Sequence, residues 1–257
     1  MNELFCLKGR IAIVTGAAGH LGAAMSRGLA EAGAKVYLLG RTQEPLDSLR
    51  SEIRRSGHQA EAAAVDVTDA GAVAAFTQAL SEKRLDILVN NAFAGYAPSD
   101  DAFAKAYEIT VTAAFGLVQK SLPLLRAAAF ANGGASVVNI ASMYGMVSPD
   151  PRVYVDSPPN PPFYGAAKAG LIQLTRHLAA ELAPERIRVN AISPGPFSSP
   201  VSQQKFPGLM KNLESKVPLG RLGRPQDLAG AIVFLASDAA SFVTGINLPV
   251  DGGWTAW

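Results

Sequence analysis

The strongest constraint on this chain is a rhythm: short, almost wholly apolar runs alternate with helix-length stretches from residue 11 onward. Residues 11–15 read as a buried strand, followed by a glycine-rich turn and a small-residue helix over about 21–32. Further strands are predicted at 35–39, 61–65 and 87–90, separated by helices at 43–55 and 70–81. The second half continues with a helix at 102–125, a strand at 135–140, a helix at 163–183, a strand at 188–192, a helix at 225–236 and a last strand at 246–250. Strands that are nearly continuous in apolar residues are covered on both faces. Regular alternation with helices favours a parallel sheet with right-handed crossovers. The expected class is therefore α/β, a doubly wound sheet between two helical layers.

No shift in composition marks a linker, so residues 1–257 are read as one domain. Two stretches break the rhythm, 147–162 and 194–218. Their proline density argues against regular helix or central strand. Both are expected to be loops on the substrate side.

Composition bounds the function. Apolar residues make up 49% of the chain and charged ones 17%, enough for a large core and too apolar for global disorder. The net charge is only +2 and the basic residues are dispersed, which gives nucleic-acid binding little support. A single cysteine, Cys6, excludes a disulfide framework and a cysteine-built zinc site within one chain. His20, His58 and His177 are far apart, so no metal site is expected. No apolar run reaches the roughly 18 residues needed to span a bilayer, and no leader-like apolar segment opens the chain. A cytoplasmic protein without membrane partners is expected.

The turn after the first strand reads Thr15-Gly16-Ala17-Ala18-Gly19-His20-Leu21-Gly22. A pyrophosphate needs free backbone N–H groups, no Cβ in its way and a helix N-terminus behind it. Gly16, Gly19 and Gly22 supply that pattern, with Ala17 and Leu21 in the same turn. His20 would face the phosphate or stand as an ordinary turn residue. The second strand tests the nucleotide. A carboxylate at its tip would bind the free ribose hydroxyls of NAD, but the strand ends Leu38-Leu39-Gly40-Arg41. A guanidinium suits a 2′-phosphate, so NADP is favoured, with NAD left open.

Tyr164 and Lys168 are four residues apart at the start of a predicted helix, on one face with Leu171, Leu178 and Leu182. A lysine on a core-facing stripe is expensive unless it is paired or lines a cavity. Beside a phenol it favours the phenolate and lowers a pKa of about 10 towards working pH. The phenol then becomes a usable general acid, and its anion a base. Ser142 lies just beyond a strand end, where its hydroxyl can bond a carbonyl oxygen as charge develops. No GxSxG elbow is present, which disfavours a serine hydrolase.

Taken in order, these motifs resemble the short-chain dehydrogenase/reductase family along nearly the whole chain. The carrying residues are the 15–22 turn; Asp66-Val67; Asn90-Asn91-Ala92; Asn139-Ile140-Ala141-Ser142; Tyr164-Gly-Ala-Ala-Lys168; the 188–195 segment ending in Pro194-Gly195; and 218–225 with Asp251-Gly252-Gly253. The resemblance implies a seven-stranded Rossmann-type sheet and an NAD(P)-dependent oxidoreductase of alcohols or carbonyl compounds. It implies substrate orientation by Ser142, acid/base work by Tyr164, and activation plus ribose contact by Lys168. It places Asp66 and Val67 at the adenine, Asn91 near the adenosine ribose, and Pro194 and Gly195, with Phe197 next to them, beside the nicotinamide. It also implies a homotetramer or homodimer, which suits the apolar end with Trp254 and Trp257.

Three departures stand out. His20 replaces a glycine of the family's turn, Phe93 follows Asn91-Ala92 where glycine is usual, and Thr110 takes the place of a helical asparagine that helps hold a water linking the lysine to solvent. Ser142 and Tyr164 are 22 positions apart, longer than is usual, and the proline-rich excess must lie near the substrate. That loop and the tail resemble a branch acting on sugar acids and sugar-derived alcohols. Two rival functions remain at this stage: a catalytically impaired NADP-binding sensor or partner subunit, for which Thr110 speaks, and an epimerase or lyase that retains its cofactor.

Overall fold

A computed structural model describes residues 3–93, 95 and 99–256. Trp257 lies outside them, so its expected part in an apolar C-terminal end is not described. The seven strands are β1 (Ile11–Thr15), β2 (Lys35–Gly40), β3 (Gln59–Ala64), β4 (Ile87–Asn90), β5 (Ala135–Ile140), β6 (Ile187–Pro194) and β7 (Asn247–Val250). They form one sheet in the order β3-β2-β1-β4-β5-β6-β7, and every pairing is parallel. The expected doubly wound α/β architecture is what the chain adopts.

The helices include α1 (His20–Glu31), α2 (Gln43–Arg55), α3 (Ala70–Ala79), α4 (Ala102–Tyr107), α5 (Ala113–Asn132), α6 (Pro162–Leu182), α7 (Pro200–Lys205), α8 (Pro207–Lys216) and α9 (Ala229–Ala236). Two apolar layers sandwich the sheet. One joins Val14, Val36 and Ile192 to Met25, Leu29 and Ile232; the other joins Ile13, Leu88 and Val137 to Leu117, Leu125 and Leu178. The strands β1, β4 and β5 are buried at every position, as their largely apolar sequences lead one to expect.

Two expectations are corrected. The 194–218 stretch is not free of helix, because it contains α7 and α8. Pro200 and Pro207 stand in the first turn of each, where a missing N–H leaves no intrahelical bond unmade. The third strand begins at Gln59, because it pairs with Lys35 from the start of β2. Among the described residues, no helix is long and apolar enough to cross a membrane.

Candidate active site

Strand order reverses between β1 and β4, which opens a crevice beyond the carboxyl ends of the strands. A cavity of about 1180 Å³ lies there. The 15–22 turn borders it, held from outside itself. The Asn91 amide donates to the carbonyl oxygens of Thr15 and Gly16, at 3.0 and 3.1 Å. The Thr15 hydroxyl accepts from the N–H groups of Asn91 and Ala92, at 2.9 and 3.0 Å. A Cβ on Gly22 would stand 2.2 Å from the Gly16 carbonyl oxygen, so only glycine lets α1 start this close to the turn. The N-cap of α1 is Gly19 and makes no side-chain cap, so the N–H groups of the first turn are left for an anion in the cavity.

The cavity gathers Gly16, Gly19, His20, Leu21, Arg41, Asp66, Val67, Asn91, Ser142, Tyr164, Lys168, Pro194, Gly195 and Phe197, nearly all the residues read from sequence. Thr110 lies outside it, and so does Ala17. Its side chain is buried in the core and its N–H donates to the Leu39 carbonyl at 3.0 Å. Ala18 lines the cavity in its place. Burial lowers the pKa of His20. Asp66 is held below the usual carboxylate range, chiefly by the Thr68 N–H and hydroxyl, with Arg41 adding a favourable charge.

On the other side of the reversal, α6 carries Tyr164 and Lys168. Lys168 is 4% exposed, and its ammonium donates to the Ile140 carbonyl at 2.6 Å. Burial pushes its pKa down to about 8. Its Nζ lies 5.8 Å from the ring centres of both Tyr164 and Phe93. Phe93 meets Tyr164 edge to face at 5.0 Å. The departure from glycine at position 93 therefore puts a ring against the phenol.

The sequence brings the end of β5 onto α6 through two small residues. A Cβ on Gly145 would lie 2.9 Å from Lys168 backbone, and one on Gly165 would lie 2.7 Å from the Tyr144 carbonyl oxygen. Ser142 is thereby set at the same cavity, its hydroxyl accepting from the Tyr144 N–H at 3.1 Å. A buried polar chain fixes the same helix to the sheet. The Asn90 amide donates to Asn139, Asn139 to the Thr175 hydroxyl, and Thr175 to the Leu171 carbonyl, at 2.8, 2.9 and 2.8 Å.

Thr110 is 2% exposed and sits on a π-helical turn, Glu108–Thr112, between α4 and α5. Its hydroxyl oxygen has no hydrogen-bond partner among the described residues. With Thr15, Asn90 and Lys168 it lines a second cavity of about 10 Å³. That is close to the space a single water needs.

Sequence reasoning expected 147–162 and 194–218 on the substrate side but did not name the side chains that cluster there. Met143, Tyr144, Val153, Leu209, Met210 and Leu213 form a cluster against which Tyr154, Tyr164 and Phe206 pack. Its members come from the two proline-rich stretches and the turn after β5, which carry no periodic signal. The pointers were the proline density of both stretches and the length of the Ser142-to-Tyr164 segment.

The family model described as enoyl-(acyl carrier protein) reductase matches residues 16–255. A cis-4-hydroxycyclohexanecarboxylate dehydrogenase of Sinomonas cyclohexanicum is 39% identical, covering all of both chains. The solved RhlG/NADP active-site complex of Pseudomonas aeruginosa is 35% identical, covers 99% of each chain and superposes with a TM-score of 0.87. A gluconate 5-dehydrogenase from Burkholderia cenocepacia, in complex with NADP and tartrate, is 30% identical with a TM-score of 0.87, covering 100% of this chain and 99% of that one.

Proposed function

The chain belongs to the short-chain dehydrogenase/reductase family and is an oxidoreductase of alcohols and ketones, and on that footing we propose that it works with NADP on an apolar ring or chain ketone and the matching secondary alcohol. The carrying observation is the convergence of Ser142, Tyr164 and buried Lys168 on the cavity that also holds the glycine turn and Arg41.

The residues fit a dinucleotide phosphate: the uncapped N-terminus of α1 and the glycine turn take the pyrophosphate, and Arg41 takes a 2′-phosphate. The two neighbours solved with NADP support that cofactor. When bound, the nicotinamide supplies or accepts the hydride. The Ser142 hydroxyl holds the substrate oxygen. Tyr164 gives that oxygen its proton in reduction and takes it back in oxidation. Lys168, charged below about pH 8, favours the phenolate from beneath. Thr110 lies where its hydroxyl and Lys168 would share one water, a route by which the proton is replaced.

Apolar lining by Leu209, Met210, Leu213 and Phe206 supports a substrate with a largely hydrocarbon skeleton. The expectation of a sugar acid has its support in the gluconate 5-dehydrogenase likeness, and we rank it second because of that lining. Assembly as a homodimer or homotetramer is supported by Phe103, Tyr107 and Phe115, apolar and exposed on α4 and early α5.

Oxidation of cyclic alcohols and reduction of the ketones, followed at the reduced-nicotinamide absorbance, tests the reading. Tyr164→Phe should lower kcat by about a hundred- to ten-thousand-fold while NADPH affinity stays near wild type. A variant that turns over normally removes the phenol from the mechanism.

A further inference from the structure

The excess length between Ser142 and Tyr164 delivers a second phenol to the cavity. Tyr154 follows a short 3₁₀ turn, Pro151–Val153, and its hydroxyl shares a 2.5 Å hydrogen bond with that of Tyr144. Both tyrosines line the cavity that holds Ser142 and Tyr164, and both pack in the apolar cluster beside Tyr164. The polar pair thus stands among aliphatic and aromatic side chains, where a hydrogen bond is worth more than in water.

The segment bearing Tyr154 is fastened to α8 at three places. The Asp156 carboxylate accepts from the N–H groups of Gly208 and Leu209, at 2.8 and 2.9 Å, and so caps α8 from more than fifty residues away. The Asn212 amide donates to the Val153 carbonyl at 3.1 Å. The Lys216 ammonium donates to Asp150 at 2.5 Å and lies 5.6 Å from the Trp254 ring centre. The stretches predicted as separate loops are one body, and Tyr154 is held at a fixed place in it.

We propose that the Tyr144–Tyr154 phenol pair is a specificity-determining contact that takes a second, uncharged oxygen of the substrate, a hydroxyl or carbonyl remote from the reacting carbon. Each phenol oxygen both donates and accepts, so the pair can serve either group. Among the described lining residues the basic ones are His20 and Arg41, on the side of the glycine turn, and Lys168, whose ammonium donates to the Ile140 carbonyl. The two phenols are neutral and bring no positive charge to a carboxylate, which is why an uncharged group is assigned.

The inference rests on the reading above, and the test separates the two. Reduction of cyclohexanone and of 4-hydroxycyclohexanone is compared in wild type, Tyr154→Phe and Tyr144→Phe, and binding of both ketones to the enzyme–NADP complex is measured by calorimetry. Wild type should favour the hydroxylated ketone in kcat/KM and in affinity by about tenfold, the effect of one good hydrogen bond. Each variant should bring that ratio within about twofold of one while cyclohexanone turnover stays near wild type. Asp156→Ala, which keeps both phenols but frees their support, should also lower the ratio, through KM rather than kcat. A ratio near one in wild type, or one untouched by either phenylalanine variant, overturns the proposal and leaves the proposed function standing. Tyr154-dependent binding without reduction of either ketone supports the contact and sinks the activity. Tighter binding of 4-oxocyclohexanecarboxylate than of 4-hydroxycyclohexanone overturns the assignment of an uncharged group.

Discussion

Lys168 combines burial with a neighbouring phenol, and its titration has a defined sign. Burial holds its pKa down to about 8 in the folded protein, whereas an unfolded chain keeps that proton to about 10.4. Below about pH 8 both states carry it, and the folded state bears the full penalty of a buried ammonium. Between about pH 8 and 10.4 the unfolded state binds more protons, so stability rises with pH through that window. The urea-derived stability of wild type should therefore gain on that of Lys168→Met by up to about 3 kcal/mol there. Parallel profiles would mean that another group titrates. At the far end of the cavity, Arg41→Ala should raise the Kd for NADPH about tenfold and that for NADH by no more than about twofold. Equal losses would remove Arg41 from the 2′-phosphate.

Helix α6 holds its position through polar atoms as well as apolar ones. Asn139 is the middle of the Asn90–Asn139–Thr175 chain, so Asn139→Ala strips a partner from a buried amide and a buried hydroxyl. A loss of about 2–4 kcal/mol in unfolding free energy is expected, read from urea midpoints at constant slope. At this scale the sequence was readable where its signal is local. Strands β1, β4 and β5 are mostly apolar runs, and the Tyr164 helix shows its buried stripe. The start of β3 was not readable, since the 59–64 stretch is mostly alanine and its limits come from pairing with β2. Helix α8 was hidden for a similar reason. Proline counts mask a helix that begins on proline, and the cap that secures it comes from Asp156, far away in sequence.

The molecule as a whole divides its work across the strand reversal. The meeting of the glycine turn with Ser142, Tyr164 and Lys168 at one cavity was legible because these residues sit at fixed distances from strand ends. Ala17 fell on the wrong side of the turn because alternation of exposed and buried backbone inside a tight loop leaves no periodic mark. The shape of the two proline-rich stretches was illegible because contacts between 150–156 and α8 set it. Exposed Phe103, Tyr107 and Phe115 carry the expectation of assembly. Sedimentation should give a dimer or tetramer mass, and Phe103→Glu should lower it; a monomeric wild type would refute the assembly. Finally, Asn91 and Thr15 clasp the glycine turn through hydrogen bonds made within the protein itself. The receptor for the phosphates is thus finished when the chain folds. A visiting nucleotide has little backbone left to tame, and its grip is set by charge and fit rather than by ordering a loop.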